Sequence, residues 1–264
     1  MNLSTSEIRN AAYASIKGQW WQAIGLIVCL NALTSQTNKL GLPYSLLFAI
    51  LLIPLYWSVY VLFLRNHREK TNLFRNNTIY REAYKDFGRI ILTMLLCGLY
   101  TFAWTLLFIV PFAIICGILV GYLSSSGFNI PSWSGFLVVL GVLPAIPIII
   151  RYIMTAYILN DYPNLKNNAA IDLSKAMMKH NRMALVKAIW PYALICICGI
   201  LYATYIITII KVGGGFENIL PQLLILFACI PFILWAHVCL YNTIAVFYEQ
   251  AKLEYESSAN SNLQ

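Results

Sequence analysis

The sequence is poor in charge. Only 11% of its 264 residues are Asp, Glu, Lys or Arg, against about a quarter in ordinary soluble domains. With 60% of the residues hydrophobic, a water-soluble core of this size has no room for so much apolar surface, whereas a bilayer does. Catalytic patterns are missing as well. There is no G-x-S-x-G elbow, no Walker-type Gly-rich loop and no H-E-x-x-H helix, and no apolar run holds a pair of carboxylates. An enzyme is therefore not expected. The seven cysteines, Cys29, Cys97, Cys116, Cys196, Cys198, Cys229 and Cys239, all fall in apolar runs without C-x-x-C spacing. They read as small packing residues, and neither a metal nor a cofactor is expected. A cleaved signal peptide is not expected either, since Glu7 and the Trp20-Trp21 pair precede the first apolar stretch.

What is present is a series of long apolar runs. They predict an all-α, polytopic transmembrane bundle of six spans, at about 20–33, 42–64, 90–123, 136–159, 188–210 and 219–247. Residues 1–250 form one transmembrane domain on this reading, and 251–264 a polar cytoplasmic tail. The first span is short and is interrupted by Gln22 and Asn31. The third is longer than a hydrocarbon core needs, with Pro111 as the expected kink. Residues 1–18 predict an amphipathic helix with capping-box spacing at Ser4 and Glu7 and a stop at Gly18. It lies on the membrane surface or extends the first span. A second interfacial helix is predicted between spans four and five. There Ala170, Leu173 and Met177 share one face, and Asp172, Lys175, Lys179 and Arg182 the other.

The net charge is +8, but the basic residues lie between apolar runs, where membrane orientation also places them. No nucleic-acid partner is expected. With six crossings, one side collects Arg9, Lys17, the seven Lys and Arg of 65–89, Lys166, Lys175, Lys179, Arg182, Lys187 and Lys252. The other side holds only Lys39 and Lys211, and Arg151 lies within a span. The positive-inside rule then puts both termini in the cytoplasm.

An ionisable group inside a span is by default a functional candidate. Arg151 is the main one. It can snorkel to headgroups, contact a substrate or anion, or pair with Asp161. Lys175, Lys179 and Arg182 are candidate lipid or substrate contacts beside it. Asp161 and Pro163 read as a structural helix stop. His237, in the last span, reads as a hydrogen-bonded structural group, with a proton relay as the other possibility. Prolines 54, 111, 144, 147, 191, 221 and 231 lie within the runs. Broken helices of this kind line transporter sites and are also common bundle kinks.

Three stretches carry a resemblance. The first runs from Ser6-Glu7-Ile8 through Ile16-Lys17-Gly18-Gln19-Trp20 to Ala23-Ile24-Gly25. The second is Tyr157-Ile158-Leu159-Asn160-Asp161-Tyr162-Pro163-Asn164-Leu165, continuing through Ala170-Ile171, Ser174 and Met177-Met178 to Asn181-Arg182. The third is Phe247-Tyr248-Glu249. Together they resemble a bacterial membrane family known as domain of unknown function 975. Gln19 stands where that family has Asn, Asn160 where it has Ala, and His180 near a common Gly. The resemblance implies architecture and a bacterial cytoplasmic (inner) membrane, and it implies no substrate. The expected function is non-enzymatic action through membrane lipids or a membrane-protein partner, with the oligomeric state open. The alternative is a small-solute or peptide transporter using kinked helices and Arg151.

Overall fold

The computed structural model describes residues 4–37, 41–69, 78–126, 145–211 and 216–261. Every element among them is helical. In chain order they are α1 (Thr5–Ile16), α2 (Trp20–Thr37), α3 (Leu42–Glu69), α4 (Thr78–Lys85), α5 (Phe87–Ser125), α6 (Ile146–Ile149), a 3-10 turn (Ile150–Tyr152), α7 (Thr155–Asp161), α8 (Asn167–Met177), α9 (Arg182–Lys211) and α10 (Phe216–Ser261). They form two compact units, one of residues 1–87 with 183–264 and one of residues 88–182.

Among the described residues, four helices are long and apolar enough to cross a membrane: α3, α5, α9 and α10. They correspond to predicted spans two, three, five and six. The predicted first span is the 18-residue α2, which is not one of the four. Of the predicted fourth span, 136–144 lies outside the described residues. The rest is broken into α6, the 3-10 turn and α7 rather than continuous. The long helices also outrun their predicted limits. α9 begins at Arg182, so Arg182 and Lys187 belong to its first turns rather than to the stretch before the predicted span. The predicted tail is helical to Ser261, because the strong helix formers Glu249 to Glu254 meet no Gly or Pro.

In the first unit, α1 is built by the capping box. The Ser4 hydroxyl accepts from the Glu7 amide, and a Glu7 carboxylate oxygen accepts from the Ser4 amide at 2.6 Å. Gly18, with φ +88°, ends the turn in a conformation other residues rarely adopt. These backbone and side-chain bonds with Ser4 hold the Glu7 carboxyl below its ordinary value of 4.5. The folded value is the lower one, so the cap's contribution is fully present above the unfolded value and is lost as pH falls through the folded one. Protection of the first-turn amides of α1 against hydrogen exchange, corrected for the intrinsic rate at each pH, should fall only on acidification. A Glu7→Gln variant should show a flatter pH profile.

The apolar face of α1 does not lie on lipid. Ile8, Ala12 and Ile16 are buried, and α1 packs on α10 and α3. The amphipathic helix predicted over 1–18 is thus present, and its apolar face is covered by protein. Two buried asparagines fix the contact. Asn242 donates through Nδ2 to the Ala12 carbonyl and, at 2.7 Å, to the Ser15 hydroxyl. Asn66 donates to the Ser15 carbonyl at 2.9 Å.

α3 and α10 run in the same direction. Tyr60 and Phe63 pack on Tyr241, with ring centroids 5.1 and 5.8 Å apart. Farther along both helices, Arg68 grips Glu249. α9 and α10 are antiparallel. Tyr192 meets Trp235, Gly199 meets Ile233, and the Tyr202 hydroxyl bonds Gln222 at 2.6 Å. A Cβ on Gly199 would fall 2.6 Å from the Ile233 side chain, which would have to shift to admit it. The basic end of α3 and the charged end of α10 therefore lie together at one end of this unit. α4 joins them there through Arg65–Glu82 at 2.6 Å.

In the second unit, α5 is 39 residues long and extends about 58 Å at ~1.5 Å per residue. It continues as one helix through Pro111. None of its apolar window is buried, as fits a helix long and apolar enough to cross a membrane. α8 packs its Ala170, Ile171, Ser174 and Met177 face on α7 and the 3-10 turn. The amphipathic helix predicted between spans four and five is present, with its apolar face covered by protein.

Candidate functional site

The four basic candidates differ in what already holds them. α8 is fastened to the 3-10 turn by the Ser174 hydroxyl, which donates to the Arg151 carbonyl at 2.7 Å. That contact brings Lys175 to the neighbouring aromatic pair. Tyr100 and Tyr152 stack at 6.0 Å between ring centroids. The Lys175 ammonium lies 5.5 and 5.7 Å from those centroids and 2.9 Å from an Asp172 carboxylate oxygen. The Asp172 hydrogen bond leads in raising the Lys175 pKa, with the Asp172 charge and the two tyrosines adding to it against a desolvation penalty. An ammonium held by a carboxylate and two rings is a structural cation. Lys179 is exposed on the following turn.

Arg151 and Arg182 are different. Both are half-buried. The Nε of each is fully covered and has no hydrogen-bond partner among the described residues. Arg182 follows α8 by a short turn, and α8 packs on the 3-10 turn that carries Arg151, which puts the Arg151 charge within reach of Arg182. Arg151 forms no ion pair with Asp161. Asp161 instead accepts from Asn160 Nδ2 at 3.0 Å.

The residue the sequence reading passed over is Arg89. Its Nη1 donates to the carbonyls of Pro163 at 2.6 Å and Tyr162 at 3.2 Å, and its Nη2 to that of Leu159 at 2.8 Å. A helix leaves its last carbonyls without intrahelical donors, and here one guanidinium satisfies those around the end of α7. Pro163, itself exposed, takes part through its carbonyl. His237 lies in the first unit and stacks on Tyr241 at 6.1 Å, extending the aromatic ladder of Tyr60 and Phe63.

The three resemblance stretches are thus structural joints. The opening stretch makes the α1 cap and its Gly18 stop. The central one makes α7, the Arg89-held turn and the buried face of α8. In the closing one, Phe247 and Tyr248 are fully buried, and Glu249 accepts from Arg68 Nε at 2.9 Å and Nη2 at 2.7 Å. A family model described as a protein of unknown function (DUF975) matches residues 1–252. The chain belongs to the DUF975 family. No curated protein and no solved structure matches it.

In this DUF975 protein, two kinds of residue escaped the sequence reading. Tyr100 and Tyr152 are 52 positions apart, so nothing local announces their stacking. Asn242 did carry a signal, being an amide in the middle of an apolar run, where an unsatisfied polar group is costly. Arg89 looked like one of seven basic residues in a polar stretch.

Proposed function

We propose that this is a multi-pass, non-enzymatic protein of the bacterial cytoplasmic membrane, with both termini in the cytoplasm. It acts by binding anionic lipids, or a membrane-protein partner, through its basic cytoplasmic side. The observation that carries this reading is the gathering of the charged ends of α3, α4 and α10 at one end of the first unit, whose α3, α9 and α10 are long and apolar enough to cross a membrane. Each Lys or Arg near an anionic leaflet contributes about 1 kcal/mol.

The test uses the full chain in nanodiscs. Replacing phosphatidylcholine with phosphatidylglycerol should raise its thermal midpoint, and raised salt should reduce the gain. Identical midpoints in both lipids at low salt would remove the reading. Cysteine-accessibility mapping of 65–89 and 251–261 should label both from the cytoplasmic side.

A second reading is favoured by one observation, the interrupted helix around Arg151. Small-solute or peptide transport would use that break. Solute flux in proteoliposomes that is lost in Arg151→Ala would move the balance to it.

A further inference from the structure

We propose that Arg151 and Arg182 together form a binding site for a phosphoryl group. The proposal rests on the anionic-lipid reading above and names the residues and ligand chemistry. The second unit contains only two acidic residues, Asp161 and Asp172. Asp172 is engaged with Lys175 and Asp161 with Asn160. Arg89 is engaged with three carbonyls. What remains is a pair of half-buried guanidiniums, like in charge, within electrostatic reach and without a counter-ion among the described residues.

Two such charges repel, and partial burial deprives them of water. A bound anion relieves both effects. The unpaired Nε–H is one prong of the side-on fork that a guanidinium offers, the neighbouring Nη–H being the other. Only the Nε of each residue is both covered and unpartnered. An oxyanion can therefore approach the more open Nη end and, with a small side-chain shift, engage the fork. A carboxylate has two oxygens and saturates one fork. A phosphoryl group has oxygens enough for two, which favours it over a carboxylate. The Ser174–Arg151 bond, anchored by the buried face of α8, holds the Arg151 backbone in place. The phosphoryl group can belong to a lipid headgroup or to a free phosphate.

The test titrates the full chain in detergent with short-chain phosphatidylglycerol and, separately, with inorganic phosphate. Arg151→Gln and Arg182→Gln should each weaken binding about tenfold, with the double variant losing less than the product of the two. Arg182→Lys keeps the charge and loses the fork, so it should lose about threefold. Lys166→Gln removes one charge, as each single arginine-to-glutamine variant does, and should cost less than about twofold. Circular dichroism and gel-filtration profiles check the fold. If an arginine variant fails that check, phenylglyoxal labelling of the wild-type protein decides, because the bound ligand should shield Arg151 and Arg182.

Arginine-dependent binding of inorganic phosphate would support the site with a soluble ligand. Binding of the lipid alone would support it with a headgroup. Unchanged affinities in folded variants, or labelling that neither ligand slows, would overturn the site. In that case phosphatidylglycerol stabilisation in nanodiscs would still stand, so the two failures are separable.

Discussion

Arg89→Ala should unfasten the end of α7 and destabilise the second unit by about 3 kcal/mol. Hydrogen bonds from a charged donor contribute about 1.5–3 kcal/mol each, though three from one side chain do not add in full. Here the carbonyls of Leu159, Tyr162 and Pro163 share one guanidinium. Removing it takes the guanidinium donor from the Leu159 and Pro163 carbonyls at a helix end, while the Tyr162 carbonyl keeps the Leu165 amide at 3.2 Å. Arg89→Lys should recover less than half of the loss. An ammonium is a point donor and cannot span three carbonyls, whereas the planar guanidinium can. Thermal unfolding of the protein in nanodiscs, followed by helicity, measures both variants. An Arg89→Ala protein as stable as the wild type would show that the turn is held by something else.

Asn242→Leu should release α1. The leucine keeps the branched heavy-atom skeleton of asparagine but removes the two N–H donors that reach the Ala12 carbonyl and the Ser15 hydroxyl. Losing them in a buried setting costs about 2 kcal/mol, which shifts the opening of α1 roughly 30-fold. Trypsin cleavage after the exposed Lys17 reports that opening. Cleavage should be far faster in Asn242→Leu and faster again with Asn66→Leu added, since Asn66 holds the Ser15 carbonyl. If cleavage at Lys17 were unaffected in both, the apolar contacts of Ile8, Ala12 and Ile16 would suffice by themselves. The asparagines would then have no part in docking α1.

Much of the helical layout follows from local pattern. The Ser4–Glu7 cap needs only residues three apart, and the apolar runs of α3, α5, α9 and α10 need only their own length. The limits of those helices were less legible. α10 continues beyond the predicted end of its span because helix propensity does not stop where hydrophobicity does. The break between Ile149 and Thr155 was not legible either, since Ile146 to Ile153 is apolar in sequence apart from Arg151 whether or not its helix is continuous. Among the candidate residues, Arg151 stood out because it interrupts an apolar run. Nothing in the sequence distinguished Lys175 from Arg182.

Sequence alone determined the family, the all-helical build and the apolar helices, because hydrophobicity and capping act between near neighbours along the chain. Tertiary structure alone decided which charges are already satisfied. It set Lys175 among Asp172 and two tyrosines, set Arg89 on three carbonyls, covered the apolar faces of α1 and α8 with protein, and left Arg151 and Arg182 without counter-ions among the described residues. The physical reason is range. A hydrogen bond or ion pair forms between groups a few ångströms apart in space, and the partners of these residues are brought there by segments remote in sequence or by a particular helical turn.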